Sequence, residues 1–221
     1  MNYKQSFVCL VMFACALLAG CIGTDSKYPL SSVESAVADP GVIGTWLASD
    51  GKEKLTIKIE SAGVHFPKNM LRLSVVEKVK QEFVGYCYIT KMTGQGKHAN
   101  VQCVNVVDFK DDRESQKWNP DDIAGYQVFA YKLIDGEIHL FDPNEKFLLS
   151  AVEQGAVQGV DEASDSNEEL EELDLESIED PDDEEVEGVQ LREPTDGLNK
   201  FFNANFGKIF PKVTIKMTRK K

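Results

Sequence analysis

The sequence predicts a mainly-β fold, a small antiparallel meander barrel or sandwich with one C-terminal helix packed on it and a disordered acidic insertion. Three observations carry this. Apolar residues alternate with polar ones through the middle of the chain, as in Leu55, Ile57 and Ile59 against Thr56, Lys58 and Glu60, which is the period of a half-buried strand. Asp-Gly pairs separate such runs at Asp50-Gly51 and Asp135-Gly136, and Asp-Gly accepts the positive φ angles of a tight hairpin turn. Between Asp161 and Glu187 there are sixteen Asp or Glu residues and no Lys or Arg.

Length and charge bound the function classes. The chain has 221 residues, 42% of them hydrophobic, enough for one ordinary domain with appendages. Its 24 basic and 37 acidic residues give a net charge of −13, which repels phosphate and disfavours nucleic acid as a partner. Set against that total, the sixteen carboxylates of the acidic run leave about +3 for everything else, so the folded part is nearly neutral.

The N-terminus reads as an address. Lys4 and the amino group precede Phe7 to Gly20, an uninterrupted apolar run of fourteen residues. A spanning helix needs about 20 such residues, so the run fits a secretory signal over residues 1–20. It ends in Leu18-Ala19-Gly20-Cys21, which resembles the lipobox of bacterial lipoproteins. That resemblance implies cleavage before Cys21, palmitate-type acylation of Cys21 and a lipid bilayer as partner. Ile22 follows in place of the Asp that retains many enterobacterial lipoproteins at the inner membrane. The implied location is the cell envelope, at the outer membrane facing the periplasm.

Composition cuts the remainder. Residues 21–40, with Pro29, Ser31, Ser32, Ser35 and Pro40, read as the lipidated Cys and a tether. Residues 41–150 hold the β-domain, with Leu71, Leu73 and Val75 forming another alternating run. A third hairpin is expected at Gly94-Gln95-Gly96. Cys87 and Cys103 are the two cysteines left after signal removal and lipidation. If that turn is centred on Gln95, they face each other across adjacent strands and are candidates for a disulfide in an oxidising compartment; the other reading is two reduced core thiols. A shift of one residue would put them on opposite faces.

Residues 151–197 read as the acidic insertion, too charged and too poor in apolar residues to pack. Its carboxylates could gather cations weakly or recruit a cationic envelope protein through residues 161–187. Residues 198–221 regain pattern. Leu198, Phe201, Phe202, Phe206 and Ile209 form one helical stripe, begun by Pro194-Thr195-Asp196 and ended by Gly207 and Pro211. Val213, Ile215 and Met217 then alternate as a strand. So short a piece cannot support its own core, so it is expected to complete the barrel domain.

Gly44-Thr45-Trp46 resembles the G-x-W start of the calycins, the lipocalin-like small barrels. The resemblance implies that Trp46 packs across a closed barrel end against an Arg of the last strand, here Arg219. It also implies a small apolar or lipid-like ligand inside the barrel. No catalytic motif, phosphate cradle or metal-ligand spacing occurs; His65, His98 and His139 read as surface residues. The expected protein is non-catalytic, with neither cofactor nor metal. The alternative to ligand binding is an anchored interaction module, an inhibitor or assembly factor, whose acidic run recruits a cationic partner.

Overall fold

A computed structural model of the chain describes residues 24–49, 54–76, 82–93, 100–109, 117–161 and 189–220. The signal, Cys21 and the body of the acidic run lie outside the described residues. The elements are β1 (Thr24–Ser26), β2 (Gly44–Ser49), β3 (Lys54–Ser61), β4 (Leu71–Val76), β5 (Glu82–Lys91), β6 (Gln102–Phe109), β7 (Ile123–Ile134) and β8 (Glu137–Phe141). Then follow α1 (Glu145–Glu153), β9 (Gly159–Asp161), β10 (Val189–Leu191), α2 (Thr195–Ile209) and β11 (Ile215–Arg219).

Eight strands close into an antiparallel barrel. The order β6-β5-β4-β3-β2-β11-β8-β7 is sealed by pairing of β6 with β7, which leaves these strands without a free sheet edge. The C-terminal strand β11 fits between β2 and β8, so the chain's last element closes the ring. Outside the ring, β1 pairs with the first half of β7 and in parallel with β10, and β10 pairs with β9.

Turn chemistry fixes the registers. At the β7–β8 hairpin Ile134 pairs with Glu137, and the two residues between, Asp135 and Gly136, have φ of 51° and 82°, the two positive values a type I′ turn requires. The Asp50-Gly51 hairpin differs. Ser49 pairs with Lys54, so four residues rather than two join β2 to β3, and Asp50 and Gly51 lie outside the described residues.

Two layers of core share one wall. Inside the barrel, Trp46, Ala48, Leu55, Ile57, Ile59, Val75, Ile89, Ile138 and Met217 are buried together. Outside it, α1 and α2 cover β6, β7 and the short strands, burying Leu148, Leu191, Leu198, Phe202, Phe206, Ile209 and Phe210. Helix α1 starts at Asn144, whose side chain accepts from Phe147 N at 3.2 Å, and ends just before Gly155 at φ 67°. Helix α2 runs through Gly207 and stops at Phe210, because Pro211 pushes the residue before it out of the helical region.

Four expectations are corrected. Residues 24–40 are not a tether. Leu30 is fully buried, Leu30 N donates to Asn105 Oδ1 at 2.8 Å, and Val37 N donates to Ile89 O at 3.0 Å. The scattered apolar residues of this Ser-rich stretch each fill a place on the barrel, which composition averages away. The insertion is also shorter than 151–197: its first residues end α1 and form β9, its last form β10 and begin α2. Cys87 and Cys103 are free and not opposed, for Cys87 pairs with Val106 and Cys103 with Thr90. The register is shifted by an odd number, so Cys87 faces the barrel interior and Cys103 the helical layer, and no disulfide can join them across the wall. Finally, His65 is exposed, but the His139 side chain is only 12% exposed, 3.2 Å from Glu137 Oε2.

Candidate functional site

The barrel interior is the candidate site. Inward-facing residues of the barrel strands alternate with outward ones, and the inward set is almost wholly hydrocarbon. Ile57, Ile59, Leu71, Leu73, Val75 and Ile89 line one side of a cavity of about 110 Å³; Val104, Val106, Phe129, Ile138, Leu140 and Met217 line the other. Apolar cavities of about 150 Å³ stay dry and accept benzene, whereas drug-sized ligands occupy roughly 300 Å³ or more. As it stands, the interior volume is below both figures, with room at most for a single small ring or a short branched alkyl end.

One end of the barrel is closed by the chain preceding β2. A 3-10 turn at Val33–Ser35 leads into a strap, residues 36–43, across the mouth. Its Val37 bridges to Ile89 and its Val42 O accepts from Trp46 Nε1 at 2.7 Å. Trp46 is completely buried. Arg219, its register partner on β11, holds its guanidinium carbon 4.9 Å from the Trp46 ring centroid. Arg219 Nη2 also donates to Gly41 O at 2.9 Å and Ile43 O at 3.2 Å. The arginine thus ties indole and strap together, a cation over an aromatic face with its fork spent on carbonyls. Gly44 sits between them at φ 150°, where an added Cβ would lie 3.5 Å from the guanidinium.

Few polar groups reach the interior. Tyr131 OH donates to Asp39 Oδ2 on the strap at 2.7 Å, and burial raises the phenol's pKa above its ordinary value, with the Asp39 hydrogen bond adding to the rise. Burial pushes the Cys87 thiol up to about 12, so it is neutral and no nucleophile. Sequence reasoning missed two groups here. Gln102 and Gln127 pair with Tyr131 and Val106, which places both on the inner face, and each Oε1 is buried without a hydrogen-bond partner among the described residues. Alternating Gln within Val-rich strands was the available signal. Among the described residues no group of three or more His, Cys, Asp or Glu is placed to hold a metal ion.

Of the residues singled out beforehand, Trp46 and Arg219 come together, Cys87 and Cys103 are kept apart, and Cys21 lies outside the described residues. Compared with protein-family models, curated proteins and solved structures, the chain matches none. The fold itself, a closed eight-stranded antiparallel barrel, is consistent with a lipocalin-like barrel.

Proposed function

We propose that this chain is a lipid-anchored periplasmic protein of the outer membrane, non-catalytic, whose barrel binds a small apolar or lipid-like ligand. The observation that carries the reading is the interior cavity: hydrocarbon-lined, shut at one end by the strap and Trp46, and without a charged group among its lining residues. Such a space rejects ions and rewards apolar surface, about 25 cal/mol for each Å² removed from water. The address rests on the lipobox-like Leu18-Ala19-Gly20-Cys21.

The test is native mass spectrometry with solvent extraction on the chain from Ile22 onward, exported to the periplasm, followed by thermal unfolding with benzene. A stoichiometric apolar passenger is expected, or stabilisation of about 2.7 kcal/mol at a hundredfold excess over Kd. Val106→Phe, which fills the cavity, should abolish both. A bare mass together with an unmoved unfolding temperature overturns the reading.

A second reading, recruitment of a cationic envelope partner, has one observation in its favour. Val189 pairs with Asp161, and the next residue, Gln190, pairs with Asp25 beside Thr24. The acidic run therefore leaves and re-enters the fold at the same edge where the chain from Cys21 arrives, within about 10 Å across two strand spacings. A partner held there would sit at the bilayer surface.

A further inference from the structure

The outer face of the barrel around β11 carries charge of the sign opposite to the chain's total. Against a net charge of −13, residues 198–221 hold seven Lys or Arg and no Asp or Glu. Along β11 the inward Ile215 and Met217 alternate with the outward Lys216 and Thr218, and Lys216 and Lys220 are exposed. The registers carry the pattern across neighbouring strands. Lys216 pairs with His139 on β8, and His139 with Lys132 on β7. These three outward positions form one row, with the two lysines about 10 Å apart across two strand spacings. A second row runs from Lys220, whose N donates to Thr45 O at 2.8 Å, to Lys58, the partner of Thr45 on β3. The two carboxylates on this face are both engaged, Glu60 with Lys58 at 2.7 Å and Arg72 at 3.0 Å, and Glu137 with His139 at 3.2 Å. Lys132, Lys216 and Lys220 form no ion pair among the described residues.

We infer that this face rests on the anionic phospholipid headgroups of a bilayer. The inference builds on the anchor proposed at Cys21, and the fold says how closely that anchor would hold the barrel. Thr24 is buried and already paired with Val128 on β7. Only Ile22 and Gly23 stand between an acylated Cys21 and the folded body, a leash of at most about 11 Å. Lys132 lies four residues beyond Val128 on the same strand, about 13 Å along it. Two surfaces adjoin Thr24, the helical layer and the β11 face. The helical layer mixes Lys146, Lys200 and Lys208 with Glu145, Glu153 and Asp196, so an anionic leaflet attracts it little. The β11 face offers three lysines without counter-ions, each of which strengthens association about fivefold within a screening length of about 8 Å. Outward Thr45, Thr56 and Thr218 add hydroxyl donors for phosphate oxygens. Docked this way the barrel lies on its side, with β5, on the opposite side of the ring, turned away from the bilayer.

The chain from Cys21 onward, coupled through that thiol to a maleimide lipid, reproduces the tether on vesicles; Cys87 and Cys103 are buried and do not compete. Lysine acetylation, read by peptide mass spectrometry, then compares pure phosphatidylcholine with a mixture holding about one third phosphatidylglycerol. Lys132, Lys216 and Lys220 are expected to react at least about fivefold more slowly on the anionic vesicles, and to recover in about 0.5 M NaCl, while Lys68 on the far side and Lys200 on α2 keep their rates. Lys216→Gln with Lys220→Gln changes two exposed positions, so it should leave the unfolding temperature in place and return Lys132 to its phosphatidylcholine rate. Equal rates on the two vesicles, protection of Lys200 in place of the β11 face, or an unmoved Lys132 in the double variant overturns the inference. Protection of the uncoupled chain by inorganic polyphosphate, as strong as that by vesicles at equal phosphate, assigns the face to a soluble polyanion and also overturns it. The anchor is checked apart, on the chain expressed with its signal. A Cys21 peptide without acyl mass there overturns the proposed address, whereas the vesicle result stands or falls by itself because the maleimide supplies the tether.

Discussion

The two sides of the barrel wall are buried to different depths, and that difference organises the molecule. Along β3 the outer face meets solvent: Leu55, Ile57 and Ile59 are buried while Lys58 is exposed. On the β5–β7 side both faces are covered. Residues 86–90 and 127–131 are buried without interruption, the inner set by the barrel, the outer set by Leu30, Ala36, the Phe66 ring and the helices. The inner layer holds a cavity of about 110 Å³. The outer layer beneath α1 and α2 is packed ring on ring, with Phe202 and Phe206 at 6.0 and 5.0 Å from Phe210. One wall thus separates a core with room in it from a core without, and only the former can admit a guest at small cost.

The largest effect should come from testing that contrast with one chemical change on each face. Phe202→Ala in the filled layer and Phe129→Ala beside the cavity both delete a ring, at about 3–5 kcal/mol for buried Phe→Ala. Phe202 is fully buried among other rings, whereas Phe129 lines the cavity and already lacks neighbours on that side. Phe202→Ala should therefore be the costlier by about 1 kcal/mol or more in urea unfolding at constant m. Equal costs would mean that the interior is as tightly filled as the helical layer.

The same contrast decides what could be read from sequence. Where one face is wet, alternation is plain, and β3, β4 and β11 follow from it. Where both faces are dry, alternation disappears, and β5 and β6 lose the signal that fixes register. The Cys87–Cys103 pairing failed for that reason: a turn centre misjudged in the Gly94-Gln95-Gly96 loop shifted an even register to an odd one, and nothing in Tyr86-Cys87-Tyr88-Ile89-Thr90 could correct it. The strap was hidden differently. Its anchor points, Ala36, Val37 and Val42, are spaced by tertiary contacts and by no helical or strand period. Helix α1 was legible in principle, from the Asn144 cap to Gly155, but Glu and Gln at its end merged with the acidic run. The cavity was not legible, since it depends on how side chains from eight strands meet.

A middling effect separates the thiols from any redox role. With Cys87 and Cys103 on opposite faces, reductant should leave the unfolding midpoint unchanged, and a thiol reagent should react only on unfolding. Alkali should act instead. Burial raises Cys87 from 9.0 to about 12, so the folded state holds a proton that the unfolded state releases. That stabilisation is fully present below about pH 9 and is lost as pH rises towards 12, at up to about 1.4 kcal/mol per unit. Cys87→Ala should flatten the decline of stability between those limits by about one proton. An unchanged slope would show that water reaches the thiol, and the interior would then no longer count as dry.

The smallest effect concerns the lid shared by both layers. Arg219 is exposed, yet it covers the Trp46 ring and donates to two strap carbonyls. Arg219→Lys keeps the charge but loses the planar fork, and should cost about 1 kcal/mol, as expected for an exposed cation–π contact plus weakened hydrogen bonds. The strap, and not the whole barrel, should respond. Amide exchange at Val37 and Val42, whose N–H groups bond Ile89 O and Asp39 O, should speed up about fivefold, while β3 keeps its protection. If β3 loosens equally, the closed end is no separate lid, and Trp46 with Arg219 belongs to the barrel's global stability. Uptake of the proposed apolar guest would then depend on the opposite end alone.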